Sequence, residues 1–206
     1  AGLLNTFLSP LIAGGEIIIG PKFSAITMIS IVNSLNYHSP QTIWITPSII
    51  SMLEMLLVKK KNLSNIFANF DQIFCGTAPL YNEVRKLFYN LFQKNIQNSY
   101  GTSELLLISS QTKKCVPQYE DVGILIPNVN VMIDNNIDDE IVVNTPYKYL
   151  GYYNKDKDSS KNITEHNDFA KTGDLGILTN NRLIIKGRIK DLIIKGGINI
   201  SPLQIE

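Results

Sequence analysis

Between Thr42 and Tyr100, short strand-like runs alternate with amphipathic helix patterns, and this alternation constrains the fold more than any other feature. Thr42–Ile45 reads as a strand, and Pro47 suits the first turn of a helix carrying Ile49, Ile50, Leu53 and Leu57. Gln72–Cys75 reads as a second strand. It ends in Gly76-Thr77-Ala78-Pro79 and is followed by Val84, Leu87, Phe88, Leu91 and Phe92 at the i, i+3, i+4, i+7, i+8 spacing of one helix face. Ile96–Tyr100 returns as a strand. Upstream, Glu16–Ile19 between Gly14-Gly15 and Gly20-Pro21 is expected to be a buried strand, and Ser24 to cap a helix bearing Ile26, Ile29, Val32 and Leu35. Strands alternating with helices form a mostly parallel sheet covered by helices, an α/β arrangement.

After Tyr100 the pattern changes. Leu105–Ser109, Val129–Ile133, Glu140–Val143, Gly176–Leu178 and Arg182–Ile185 are short strand candidates separated by Asn, Asp, Gly and Pro, with no strong helix signal among them. They predict a small antiparallel sheet or barrel. Asn154–Asp168 is polar and reads as an exposed loop. The division expected is an α/β part over 1–104, a β-rich part over 105–186, and a closing segment over 187–206.

With 206 residues, 44% hydrophobic and 18% charged, the chain has an ordinary globular composition, and its formal net charge of +1 gives no reason to expect a nucleic-acid partner. Lys59-Lys60-Lys61 reads as solvated lysines at a helix end. Cys75 and Cys115 have no metal-ligand spacing and are expected as buried reduced thiols. No apolar run reaches the roughly 18 residues of a membrane span, no signal-peptide pattern opens the chain, and a cytoplasmic location follows as the expectation. His38 and His166 lack a Ser or Cys in nucleophile context, so a hydrolase triad is unsupported.

Four segments could carry chemistry. Asn98-Ser99-Tyr100-Gly101-Thr102-Ser103-Glu104 ends a strand with an aromatic ring, a glycine, hydroxyls and a carboxylate. Such a loop can stack on a purine, bond phosphate and help hold Mg²⁺, or be an ordinary polar turn. Gly76-Thr77-Ala78-Pro79-Leu80 follows another strand, and a turn into the next helix accounts for it equally. Thr172-Gly173-Asp174 presents a carboxylate suited to a ribose diol, or an Asx-type turn. Finally, Gly187-Arg188-Ile189-Lys190-Asp191 leads into Leu192-Ile193-Ile194 and the Gly196-Gly197 pair, which could be a bulge in an edge strand.

Together these segments resemble adenylate-forming enzymes, the superfamily of acyl-CoA synthetases, luciferases and peptide-synthetase adenylation domains. Tyr100-Gly101-Thr102-Ser103-Glu104 is similar to the family's Tyr-Gly-x-Thr-Glu. The resemblance implies that Tyr100 stacks on adenine, that Gly101 and Thr102 belong to the nucleotide loop, and that Glu104 coordinates Mg²⁺. Ser103, at the family's Thr position, keeps the hydroxyl for a phosphate oxygen and loses the methyl that restricts its rotamer. Gly76, Thr77, Ala78 and Pro79 match the segment whose backbone meets adenine and borders the acyl pocket, Thr77 standing where the family has a second glycine. Asp174 would bind both ribose hydroxyls and Arg188 would support the same region. Lys190 falls at the hinge between large and small domains, and Gly197 would lie against the pantetheine tunnel. Lys195 matches no catalytic position. Val122–Asn128, Asp139–Val143 and Tyr149–Tyr153 match the family as scaffold, without chemistry.

The resemblance therefore implies a partial large domain of an ATP-dependent ligase. It would activate a carboxylic acid as acyl-AMP and pass it to coenzyme A, with ATP/AMP, Mg²⁺ and CoA as cofactors. A carrier-protein phosphopantetheine is the alternative acceptor, and a non-catalytic nucleotide- or acyl-binding module the alternative function. The family's phosphate-gripping loop is expected before Ala1, and its small domain with a catalytic lysine after Glu206. By itself this stretch is expected to bind adenylate weakly and turn over poorly.

Overall fold

The computed structural model describes residues 2–24, 26–57, 65–113, 121–135, 139–150, 169–195 and 198–202. Lys59-Lys60-Lys61, Cys115, Gly151–Tyr153, Asn154–Asp168, His166 and Gly196-Gly197 lie outside the described residues. The chain divides into two compact units, one of Ala1–Tyr100 with Gln111–Tyr119, the other of Gly101–Ser110 with Glu120–Glu206.

The first unit opens with a π-helical turn, Leu4–Leu8, and a short helix α1 (Ser9–Ile12), neither burying a residue. Helix α2 (Met28–His38), strand β1 (Thr42–Ile45), helix α3 (Pro47–Leu57), strand β2 (Gln72–Cys75), helix α4 (Asn82–Phe92) and strand β3 (Gln97–Thr102) follow. The order β1-β2-β3 is parallel, with Thr42 opposite Gln72 and Cys75 opposite Asn98. The expected strands and helices from Thr42 to Tyr100 are thus present, with α3 starting at Pro47.

Two upstream expectations are corrected. Glu16–Ile19 is not a strand, and Ile19 is 79% exposed. Four residues between flexible glycines have no ladder among the described residues to hold them extended, and propensity alone does not suffice. Ser24 does accept the Thr27 N–H through its Oγ at 3.2 Å, but α2 begins only at Met28, and of the expected face Val32 and Leu35 turn inward while Ile26 and Ile29 do not. Met28 and Val32 are buried while Ile26 is 91% exposed.

The core of this unit gathers Ile45, Ile50, Leu53, Ile73 and Ile96 around Phe67, Phe70, Phe88 and Phe92. Phe67 packs on Phe70, Phe88 and Phe92, with ring centroids 5.5, 5.0 and 4.7 Å away. Each fully buried ring contributes about 1.5–3 kcal/mol of transfer free energy. Burial pushes the Cys75 thiol up to about 12, against the lowering by nearby Arg85 and by the Gly76 backbone, which fits the expected reduced thiol. Arg85 is itself buried on α4. Its Nη1 donates to the Ile96 carbonyl at 2.8 Å and to Gln111 Oε1 at 3.1 Å, and the same Oε1 accepts the Asn98 N–H at 2.9 Å. This polar knot fixes the stretch of β3 that leads to Tyr100.

The second unit holds β4 (Leu106–Ser110), β5 (Ile124–Leu125), β6 (Asn130–Asp134), β7 (Glu140–Asn144), β8 (Ala170–Thr179) and β9 (Arg182–Arg188). They lie in the order β4-β5-β9-β8-β7-β6, with antiparallel pairing throughout. Of the two expected forms, the sheet is present; the order is open and does not close into a barrel. Asn180 and Asn181, both at positive φ (50° and 62°), make the two-residue turn joining β8 to β9. A 3₁₀ turn (Ile189–Asp191) leads from β9 to an antiparallel hairpin, β10 (Ile193–Lys195) with β11 (Ile198–Ile200). Ser201 fastens the hairpin's end by donating from Oγ to the Lys186 carbonyl at 2.8 Å. A Cβ on Gly187 would collide with that hydroxyl, so a side chain there would displace Ser201.

Candidate functional site

Within the first unit, the parallel register puts the carboxyl ends of β2 and β3 side by side, the usual ligand position in an open α/β sheet. Gly76 is buried, and a Cβ on it would lie 3.4 Å from the Ser99 carbonyl and 3.7 Å from the Trp44 ring. Thr77 takes φ +73°, in the left-handed region that favours glycine. Thr77, Ala78 and Pro79 are exposed, and buried Leu80 anchors the segment. Tyr100 is half-buried on the neighbouring strand.

Within the second unit, Gly101 stands where a Cβ would fall on the Leu106 carbonyl, so the chain can turn there only without a side chain. Thr102 Oγ1 accepts the Leu105 N–H at 3.1 Å and closes the turn that presents Ser103 and Glu104. Ser103 is exposed; Glu104 is half-buried, and its carbonyl accepts the Tyr149 N–H at 2.7 Å. A polar cavity of about 220 Å³ opens beside this turn, lined by Thr102, Glu104, Leu105 and Tyr149 together with Ala170, Lys171, Thr172 and Arg188.

Thr172 lines this cavity from a bulge in β8 that also carries Gly173 and Asp174. Lys171 pairs with Val142 and Leu175 with Glu140, so β8 takes four steps where β7 takes two. Gly173 adopts φ +72° within the bulge. Thr172 Oγ1 donates to the Ile141 carbonyl at 2.8 Å and accepts the Asp174 N–H at 3.1 Å. Bulges of this kind re-aim side chains. Here the result is that Asp174 stands opposite Arg188, whose Nε lies 2.8 Å from Asp174 Oδ1.

Among the residues singled out from sequence, the cavity thus collects Thr102, Glu104, Thr172 and Arg188, with Asp174 held on Arg188. Lys190 is exposed on the 3₁₀ turn and does not line it, and Gly197 is outside the described residues. Sequence reasoning missed Tyr149 and Lys171 as cavity residues. Lys171 adjoins Thr172 directly, which is the signal that could have found it.

Residues 1–153 match the family described as AMP-binding enzyme. The chain belongs to that family. This AMP-binding enzyme chain is 26% identical over its whole length to a probable 4-coumarate–CoA ligase 3 of Dictyostelium discoideum, covering 38% of that protein. It is 30% identical, over 98% of its length, to a putative long chain fatty acid-CoA ligase VraA of Staphylococcus haemolyticus, covering 41% of it. The chain therefore spans about two fifths of the length of these relatives. Its fold matches ATP-bound MatB from Rhodopseudomonas palustris, with a TM-score of 0.81 at 24% identity, over all of this chain and 41% of that one. It also matches a malonyl-CoA ligase in complex with methylmalonyl-CoA and AMP, with a TM-score of 0.77 at 24% identity, over all of this chain and 45% of that one. The expected architecture, a partial large domain of the adenylate-forming fold, is thereby shown.

Proposed function

We propose that the protein containing this chain activates a carboxylic acid with ATP and transfers the acyl group to coenzyme A. The observation that carries the reading is the convergence of Thr102 and Glu104 with Thr172 and Arg188 around one polar cavity, with the Asp174 carboxylate held on Arg188. A carboxylate and hydroxyls beside a guanidinium suit a ribose and its phosphate.

In the first step a carboxylate oxygen attacks the α-phosphorus of ATP, the bond to the bridging oxygen breaks, and pyrophosphate leaves. In the second, the CoA sulfur attacks the acyl carbonyl and AMP leaves with the bonding pair. Asp174 accepts hydrogen bonds from both ribose hydroxyls. Tyr100 stacks on adenine, while the backbone of Gly76, Thr77, Ala78 and Pro79 borders adenine and the acyl chain. The Gly101 turn brings the hydroxyls of Thr102 and Ser103 to phosphate oxygens. Glu104 suits Mg²⁺, a cation commonly held by one or two carboxylates plus phosphates and waters, and bound there it would neutralise phosphate charge. Lys190, exposed between β9 and the hairpin, is the pivot for a small domain.

Acid-dependent ATP–pyrophosphate exchange by the full-length protein, followed by thioester formation with CoA or with a phosphopantetheinyl carrier protein, tests the reading. Exchange with CoA thioester is expected. Exchange with thioester only on the carrier protein would replace CoA as acceptor, and no exchange across short-, long-chain and aromatic acids would overturn the ligase reading. The 206-residue chain alone is expected to exchange poorly.

A further inference from the structure

Glu140 reads in sequence as scaffold within Asp139-Glu140-Ile141, yet it is a buried carboxylate with a relative exposure of only 3%. Its Oε1 accepts the Gly173 N–H at 3.0 Å. Its Oε2 lies 3.8 Å from Lys171 Nζ, and Lys171 lines the polar cavity. Glu140 is paired in the ladder with Leu175, so it sits at one foot of the β8 bulge while Lys171 marks the other. One carboxylate therefore spans the bulge that carries Asp174.

We infer that Glu140 is the positioning residue of the diol-binding turn: it holds Gly173 in its left-handed conformation and so keeps the Asp174 carboxylate aimed beside Arg188. This rests on the reading that Asp174 receives a ribose. Gly173 cannot take part in a regular rung, because the bulge has more residues than β7 can pair, and the carboxylate supplies the missing acceptor. The acceptor is buried and the bond half-buried, so a Gly173 N–H stripped of this partner favours a different loop conformation. Lys171 offsets the charge that Glu140 brings into the sheet.

The test is calorimetric titration of the full-length protein with AMP and with 2′,3′-dideoxy-AMP, which lacks the diol. Glu140→Ala is expected to weaken AMP about tenfold, the loss of one hydrogen bond to a charged group. It should leave the weaker dideoxy-AMP affinity unchanged, because Glu140 acts only through the diol contact. Glu140→Gln, which keeps an acceptor for Gly173, should restore AMP binding to within about threefold of the original. Unchanged AMP affinity in Glu140→Ala would overturn the inference, as would equal losses for both nucleotides, which mark general loosening. If Glu140→Ala does not fold, Glu140→Asp, which withdraws the carboxylate by one methylene, must show the same diol-selective loss. Failure of the original protein to bind AMP at all would remove the ligase reading along with this one, whereas AMP binding indifferent to Glu140 removes only this one.

Discussion

Arg188 and Asp174 face each other across the β8–β9 ladder, with Nε 2.8 Å from Oδ1. The carboxylate side chain is 11% exposed and the guanidinium 44% exposed, so the pair has a buried anionic end and a wet cationic end. Such a pair holds the carboxylate on a residue that itself lines the cavity. Arg188→Met is expected to lower folding stability by only about 1 kcal/mol, because solvent screens the exposed guanidinium. Its effect on AMP affinity should be larger than that, since it releases Asp174 from its aim. A urea melt and an AMP titration of the same variant check the two together, and a stability loss with intact AMP affinity would contradict the positioning role.

Gly101 is the tightest constraint in the turn before Glu104. Any side chain there meets the Leu106 carbonyl, and Leu106 itself sits at φ +57°, so neither strand end has freedom to yield. Gly101→Ala should cost about 1–3 kcal/mol, in the range of overpacking substitutions. Chemical denaturation measures this directly; stability equal to the original would show that β3 and β4 can part.

Thr77 presents the opposite case, a β-branched residue at φ +73° on an exposed loop. Strain of this kind costs on the order of 1–3 kcal/mol, part of which glycine returns through its freer unfolded state. Thr77→Gly is therefore expected to stabilise the chain by up to about 1 kcal/mol. A lower denaturation midpoint would contradict it.

The parts of the fold legible in sequence were those written in local signals. Pro47 announces α3, and the run Gln72–Cys75 bounded by Gly76 announces β2. Glu16–Ile19 carries the same local signal but lacks a ladder, and pairing is not written in four residues. In the second unit β8 reads too short in sequence, as Gly176–Leu178, because the half that holds Thr172-Gly173-Asp174 is a bulge with no alternation to read. The Asp174–Arg188 approach depends on register, and register depends on the Asn180-Asn181 turn, whose residue types favour positive φ and could have been used. Glu140 reads as scaffold in the sequence because its partner, Gly173, is 33 residues away and bonds through its backbone. The motif residues at the cavity were legible only through resemblance; composition and spacing left each of them an ordinary turn.

Equilibrium titration of AMP into the full-length protein and into its Asp174→Ala variant tests the central claim most directly. Losing a carboxylate that accepts two ribose hydroxyls should raise Kd by about ten- to a hundredfold. Equal affinities in the two proteins would contradict the claim that Asp174 and the cavity beside Arg188 form an adenylate site.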